Sequence, residues 1–528
     1  MNRTPLSRTI FASVAAMGTS LAAAAQPASH AADNPDAPRN VVVIIGDDIG
    51  LQLGTYGDPD AITPAVDRLA AEGTRFDRAY ATAATCSASR ASLLTGLHAH
   101  ASGQYGHSHT VGRFHTYASV QSLPRILKDN GYRTAVFGKL HVSPLDVYPF
   151  DRWEKGSDLP GGSRNTVAMA GTAAEWWTQR PDEPFFLYFA TYDAHDGRPG
   201  HLGNGEGIAA NSAISPYPGV EAVSFEPSEM TVPPWLNDTA GVRNRMANYH
   251  RSINRFDQGV ARLVERLKQT GQYDNTLILV TSDHGPPMQG AKTTLYETGA
   301  RVPLVVRHPE SQRRGVASSA LVTLVDVVPT VLNYARIDPP VVRPVVPFAN
   351  DEKPWSNPPP RPYQFHGRSF LDVLEQEHPA GWDEAFLAHT FHEVRMYDPM
   401  RVVVRDRWKF IYNLDFMTPQ TWAIKTFRTD RPLDQQFVGV RPLEPFLLRP
   451  QYQLFDLEND PWETNNLADD PAHADRVAEM LEATLRHMDR TADHFPLGED
   501  TMRKMRAYDA ARSAAQSQTP GPASPITR

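Results

Sequence analysis

A chain of 528 residues, 41% hydrophobic and 21% charged, is long enough for a large core and fits a soluble globular protein, not a disordered or fibrous one. Its single cysteine excludes an internal disulfide, so stability must rest on packing. A formal charge of -8 provides no global field that would gather polyanions, so an anionic ligand would have to be held by local basic residues.

The first 25 residues read as a secretory signal. Arg3 and Arg8 form a basic start, Ile10 to Ala25 is apolar and small, and Ala23-Ala24-Ala25 before Gln26 offers a cleavage site; cleavage as late as residue 31 fits the same pattern. The apolar part is too short to span a membrane stably, and a periplasmic or secreted location is expected. Loss of Arg3 and Arg8 with the signal takes the charge from -8 to -10.

Val41 to Ile45 is a continuous β-branched run, the pattern of a strand buried on both faces of a parallel sheet, and it ends in Gly46-Asp47-Asp48. Thr63-Pro64 predicts a helix start, with Thr63 as N-cap, and Gly73 closes it. In the stretch 81–96 the lone cysteine, Cys86, follows a run of small residues and opens a helix-like segment ending at Gly96. There Cys86 would lie at a helix N-terminus, which favours an anion, although a lone thiol also reads as a small buried hydrophobe. Ser122 to Asn130 predicts the next helix, and Thr134 to Gly138 a strand leading into Lys139-Leu140-His141. Phe185 to Ala190 predicts another strand, running into Asp193 and His195; 242–270 reads as a long helix, and Thr276 to Val280 as a strand leading to Ser282-Asp283-His284-Gly285.

Strand, polar cluster and helix recur in that order, which argues for a doubly wound α/β domain whose sites gather at the carboxyl ends of the strands. The Pro-rich stretch Asp338 to Pro362 reads as an irregular excursion. Short antiparallel strands at Val402–Val404 and Lys409–Tyr412 and a closing helix over 472–490 predict a smaller α+β unit. The expected division is a large domain over 38–378, a smaller one over 379–510 and a disordered tail over 511–528.

Asp47-Asp48 and Asp283-His284 at two strand ends could hold a hard divalent cation, Ca²⁺ or Mg²⁺; the imidazole leaves room for Mn²⁺ or Zn²⁺. Lys139 and His141, two apart, would point to one side of an extended segment and suit an oxyanion and a proton transfer; a surface lysine beside a capping histidine fits equally. His195 and Lys292 would complete a basic set. The spacing of His98, His100, His107, His109 and His115 matches no standard ligand set and reads as a histidine-rich rim loop.

Cys86-Ser87-Ala88-Ser89-Arg90 followed by Leu94-Thr95-Gly96 closely resembles the signature of the type I sulfatases of the alkaline phosphatase-like superfamily. Gly46-Asp47-Asp48, Gly138-Lys139-Leu140-His141, Ser282-Asp283-His284-Gly285 and Leu454-Phe455-Asp456-Leu457 fall in that family's order, so the likeness spans about residues 38 to 495. The resemblance implies the alkaline phosphatase-like fold, a large mixed, mostly parallel sheet flanked by helices with a smaller C-terminal α+β domain built on an antiparallel sheet. It implies that Cys86 is oxidised to formylglycine and that its hydrate attacks sulfur. It also implies one divalent metal, Ca²⁺ first and Mg²⁺ or Mn²⁺ next, held by Asp47, Asp48, Cys86, Asp283 and His284. Arg90 would steady the modified side chain, Lys139 and Lys292 would neutralise sulfate oxygens, His141 would assist breakdown of the sulfated diol, and His195 would protonate the leaving group. Ala88 stands where many members have Pro, and His284 where many have Asn.

Tyr148-Pro149-Phe150-Asp151, Pro184 to Tyr188, Phe256-Asp257-Gln258-Gly259 and His392-Glu393-Val394 with Pro399-Met400-Arg401 look like the sulfamidase branch, which cleaves the N–S bond of a terminal N-sulfoglucosamine. By that likeness Asp193, His201, Glu393 and Arg401 are candidates for the sugar pocket, with an ion pair between domains as the other reading for Glu393 and Arg401. The partners implied are a sulfated saccharide and a formylglycine-generating enzyme, with a homodimer left open and no nucleic acid or membrane insertion. An O-sulfatase or arylsulfatase is the nearest rival function, then a phosphonate or phosphate monoester hydrolase, then an inactive glycan-binding homologue.

Overall fold

The central strand, β1 (Asn40–Gly46), is buried along its whole length because it is flanked by parallel strands on both sides and covered by helices on both faces. The computed structural model describes residues 39–109, 112–159, 162–195, 217–342, 360–394, 396–420 and 437–493. The signal segment, the tail, the middle of the Pro-rich stretch and His201 lie outside them.

The large sheet has nine strands: β1, β2 (Thr74–Tyr80), β3 (Arg133–Gly138), β4 (Arg152–Glu154), β5 (Phe185–Ala190), β6 (Thr276–Ser282), β7 (Arg301–Val302), β8 (Leu304–Arg307) and β9 (Val316–Thr323). They run in the order β4-β3-β5-β1-β6-β8-β2-β7, with β9 also paired to β2. From β4 to β6 every pairing is parallel; β8 is antiparallel to β6, which makes the sheet mixed. Gly46 pairs with Ser282, Ile45 with Ala190 and Gly138 with Ala190, so β1, β3, β5 and β6 end at one level. The polar clusters after them therefore meet at one edge, as in other open α/β sheets.

Alternation along β1 divides the core in two. Val41, Val43 and Ile45 pack with α2 (Cys86–Thr95), α4 (Leu123–Asp129) and α8 (Val327–Ala335), after α1 (Pro64–Ala71), α3 (Ala99–Ser102), α5 (Thr166–Thr178), α6 (Ala240–Gln269) and α7 (Glu297–Ala300) are counted in chain order. Val42 and Ile44 pack with α1, α5 and α6 on the other face. Each of these five fully buried side chains stabilises the fold by about 1.5–3 kcal/mol relative to exposure. Thr63 precedes α1 as expected, but its side chain does not cap it. Its hydroxyl accepts from Gly54 N at 2.9 Å, and the carboxylate of Asp257 on α6 takes the helix N–H groups of Ala65 and Val66 at 3.0 and 2.8 Å.

The Pro-rich excursion is not wholly irregular: its ends, β10 (Val341–Val342) and β11 (Arg361–Pro362), pair antiparallel. A second sheet follows, from β12 (Glu384–Phe391), β13 (Tyr397–Arg405) and β14 (Trp408–Asn413) to β17 (Tyr452–Asp456), after a small ladder of β15 (Phe437–Val438) and β16 (Arg441–Pro442). All its pairings are antiparallel. One face packs under the closing helix α10 (Ala474–Arg490), which follows the short α9 (Leu443–Leu447); the other packs on Tyr80, Leu295, Tyr296 and Leu321 of the first sheet's region. Among the described residues no helix is long and apolar enough to cross a membrane.

Where α3 meets α10, four imidazoles gather. His98 lies with ring centroids 5.6 Å from His100, 5.3 Å from His366 and 5.0 Å from His487, and His487 stacks on Phe386. So His98 and His100 belong to a buried junction, not to an exposed rim. Burial pushes His100 down to about 3, His366 to about 4 and His487 to about 3, from an ordinary value of 6.5. A base whose folded pKa is depressed stabilises the fold in its neutral form, so the contribution is complete above pH 6.5 and is lost as pH falls toward 4. Each histidine should take away up to about 1.4 kcal/mol per pH unit in that window. Urea unfolding between pH 7 and pH 5 should show this loss, and His487→Gln should flatten the slope; a slope unchanged by that substitution would remove the junction as its source.

Candidate active site

Cys86 is the first residue of α2, preceded by Thr85 in extended conformation, and is fully buried. Its sulfur lies 3.2 Å from His284 Nε2 and 3.8 Å from Asp48 Oδ1. One donor atom from each of Asp48, Cys86, Asp283 and His284 falls within 4.8 Å of the others, and all four residues are buried. The polar ends of β1 and β6 and the N-terminus of α2 thus converge.

Backbone hydrogen bonds fix this convergence. Asp48 takes a left-handed conformation (φ 63) and donates its N–H to Asp283 Oδ1 at 2.9 Å; Ile49 N donates to Ser282 Oγ at 2.8 Å. Tyr249 on α6 donates its hydroxyl to Asp48 O at 3.0 Å and accepts from Gly50 N at 2.9 Å. His284 Nδ1 lies 2.9 Å from Gly285 O, which orients the ring so that Nε2 faces Cys86 and Asp48.

Arg90, one turn along α2 from Cys86, is the cationic centre beneath the site and is 0% exposed. Its Nε donates to Asp283 Oδ2 at 3.1 Å, Nη2 to Asp47 Oδ1 at 3.2 Å and Nη1 to Lys139 O at 2.9 Å. Lys139 Nζ bonds Asp47 Oδ2 at 2.5 Å, while Lys292 Nζ bonds both oxygens of Asp48 at 2.8 and 2.9 Å. Asp47 therefore lies between two cations instead of in the four-atom group. Burial alone would raise its pKa, but Lys139, His195 and Arg90 together hold it well below the usual carboxylate range. For His284, burial lowers the pKa, yet Asp283, Cys86 and Asp48 raise it to about 9.

Lys139 and His141 do not share an extended segment as the spacing suggested, because His141 is left-handed (φ 57). Gly138 precedes them with φ 95, and a Cβ there would come within 2.0 Å of Ala190 O, so only glycine lets the chain leave β3 toward the site. The His141 ring sits 4.6 Å from that of His109 and 5.0 Å from that of His107. Burial first, and then Lys139, depress His141 far below its ordinary value; burial, Lys139 and Lys292 do the same to His195. Both imidazoles are neutral at pH 7, and neither His141 nitrogen nor His195 Nδ1 has a hydrogen-bond partner among the described residues.

The sugar-pocket candidates are placed differently. The Asp193 carboxylate is engaged by Arg164 at 2.5 Å and by Arg255 at 2.6 and 2.8 Å, and Asp47 N donates to its carbonyl at 2.9 Å. Its observed contacts order the loop behind Asp47. Arg401 on β13 is buried against Asp493, just beyond α10, and bonds His389 O at 2.9 Å; Asp493 also reaches His100. The Arg401–Asp493 pair is therefore internal to the second region, and it is Asp493, 3.4 Å from His100 Nδ1, that reaches across to the first. Glu393 lies in the turn from β12 to β13, half-buried.

Sequence reasoning missed three supports. Thr85 Oγ1 bonds His392 Nδ1 at 2.5 Å, and His392 Nε2 meets His107 Nε2 at 2.9 Å, so the second sheet reaches the residue just before Cys86. Ser89 donates to Asp283 O at 2.5 Å. Tyr249 carries no signal in sequence beyond its place in a long helix.

A family model described as Sulfatase matches residues 39–337. Human N-sulphoglucosamine sulphohydrolase is 34% identical over 468 residues, covering 84% of this chain and 88% of that protein. A solved structure of a protein in complex with its substrate D-glucosamine-2-N,6-O-disulfate superposes with a TM-score of 0.59 at 20% identity, covering 87% of this chain and 99% of that one. Phosphonate monoester hydrolase of Agrobacterium radiobacter superposes at 0.61 with 19% identity, covering 86% and 96%; at such identities the likeness is one of fold.

Proposed function

This chain belongs to the sulfatase family, and from that premise we propose that it hydrolyses the N-sulfate of a terminal N-sulfoglucosamine in heparan-type saccharides. The observation that carries the substrate is the 34% identity with human N-sulphoglucosamine sulphohydrolase across most of both chains. The four convergent donors of Asp48, Cys86, Asp283 and His284 support the chemistry, because two carboxylates and an imidazole in one buried cluster fit a divalent cation, Ca²⁺ first and Mg²⁺ or Mn²⁺ next. Asp47 would complete the set. When bound, the cation polarises the sulfate, and the hydrated formylglycine made from Cys86 supplies the attacking oxygen.

The remaining roles fall to side chains of the chain itself. Lys139 and Lys292 exchange part of their contact with Asp47 and Asp48 for sulfate oxygens, offsetting charge that grows in the transition state. Arg90 holds Asp47 and Asp283 in place from below. His141 takes a proton on a ring nitrogen during turnover of the nucleophile. His195 delivers one to the departing nitrogen, which must be protonated to leave as an amine. In the free protein His195 is kept neutral by burial, Lys139 and Lys292. An anionic sulfamate offsets those two charges and so removes part of what keeps His195 neutral, while burial remains.

Sulfate release should be faster from N-sulfoglucosamine than from the 6-O-sulfated sugar or an aryl sulfate. The reverse order would assign the site to an O-sulfatase. Residues 1–25 serve as an export signal in this reading, and a formylglycine-generating enzyme is the maturation partner.

A further inference from the structure

Away from the strand-end cluster, the loop between Tyr56 and α1 carries Asp58 and Asp60 against His250 of α6. His250 is 1% exposed, and neither of its ring nitrogens has a hydrogen-bond partner among the described residues. A buried imidazole left without partners is costly and calls for a ligand. Its Nε2 stands 3.8 Å from Asp58 Oδ1, and one oxygen of Asp60 completes a group whose donor atoms all lie within 4.8 Å of one another. That separation is too long for a hydrogen bond. It is close to the roughly 3.4 Å expected between two ligands that share one tetrahedral ion with bonds of about 2.0–2.2 Å.

Both carboxylates are already aimed. Asp60 Oδ2 accepts from Thr231 N at 2.7 Å and Oδ1 from Thr231 Oγ1 at 3.4 Å, while Asp58 Oδ1 accepts from Asp60 N at 3.0 Å. Unlike Asp47 and Asp48, neither has a lysine or arginine ion-pair partner among the described residues. Two carboxylates beside one imidazole therefore leave net negative charge with no protein cation to offset it.

We propose that Asp58, Asp60 and His250 form a second divalent-metal site, suited by its mixed oxygen and nitrogen donors to Zn²⁺ over Ca²⁺ or Mg²⁺. A bound ion clamps the 58–60 loop to α6 one residue from Tyr249, whose hydroxyl bridges Asp48 O and Gly50 N. It thereby braces, from outside, the turn that carries Asp48.

The test titrates Zn²⁺ into full-length protein loaded with Ca²⁺, following heat of binding, metal content by mass spectrometry and thermal midpoint. Wild type should bind one additional Zn²⁺ saturably and unfold at a higher temperature. His250→Gln should weaken that binding by more than the about 10–100-fold typical of changes outside the ligand shell. Asp60→Asn, on a half-exposed loop and less prone to misfold, should do the same, and both should release sulfate at the wild-type rate when Zn²⁺ is withheld. Absence of saturable Zn²⁺ binding to wild type, or unchanged affinity in a folded variant, overturns the site.

Discussion

Replacing Cys86 with alanine removes about six orders of magnitude from the rate of sulfate release and leaves the fold in place. Loss of a covalent nucleophile has an effect of that size where the surrounding charges remain. Those charges do remain: Lys139, Lys292 and Arg90 are held by Asp47, Asp48 and Asp283, and none of these contacts passes through the sulfur. The structural cost is small, since the substitution deletes one atom at the start of α2; about 1 kcal/mol or less is expected. Sulfate release and a thermal melt on the same sample check both halves. Peptide mass analysis of the active parent should show Cys86 lighter, having exchanged sulfur and two hydrogens for one oxygen. An intact thiol in fully active enzyme, or near-parental turnover by the alanine variant, would place the nucleophile elsewhere.

Arg90→Ala should be lost on both counts. Its guanidinium offsets Asp47 and Asp283 with no exposure to water, and removing it leaves two buried carboxylates short of a partner. Breaking buried pairs of this kind costs about 3–5 kcal/mol. Arg90→Lys should recover little. One ammonium cannot reach Asp47, Asp283 and the Lys139 carbonyl together, whereas the planar fork meets all three at 3.2, 3.1 and 2.9 Å. Denaturant unfolding and metal content measure the two effects. A lysine variant with parental stability and metal retention would show that Arg90 contributes charge alone.

Much of the site was legible because its residues follow elements with strong local signatures. The β-branched run of β1, the glycine stop at Gly96, Asp47-Asp48 after β1 and Asp283-His284 after β6 predict both the strand ends and their meeting. The mixed, mostly parallel character of the sheet was carried by the family resemblance and not by the local pattern of its strands. β2 (TRFDRAY) carries three charged residues in seven, and Pro303 divides β7 from β8, so neither stretch shows strand periodicity. Side-chain partners across long separations were equally hidden. Nothing local to Asp193 announces Arg164 and Arg255, and nothing local to Arg401 announces Asp493. Lys139 and His141 share a region but not an extended backbone, because the left-handed turn at His141 depends on neighbours that spacing does not encode.

The bond from Thr85 to His392 joins residues 307 positions apart, and it is made by the residue just before a cysteine that solvent does not reach. If that cysteine is to become an aldehyde, the modifying enzyme must meet it as a flexible peptide. The strand that delivers His392 is made long after α2 has left the ribosome, so the chain carries its own deadline. On the proposed function, chemistry at residue 86 would then have to finish before the second sheet docks, and a chain that folded first would keep Cys86 as a buried thiol.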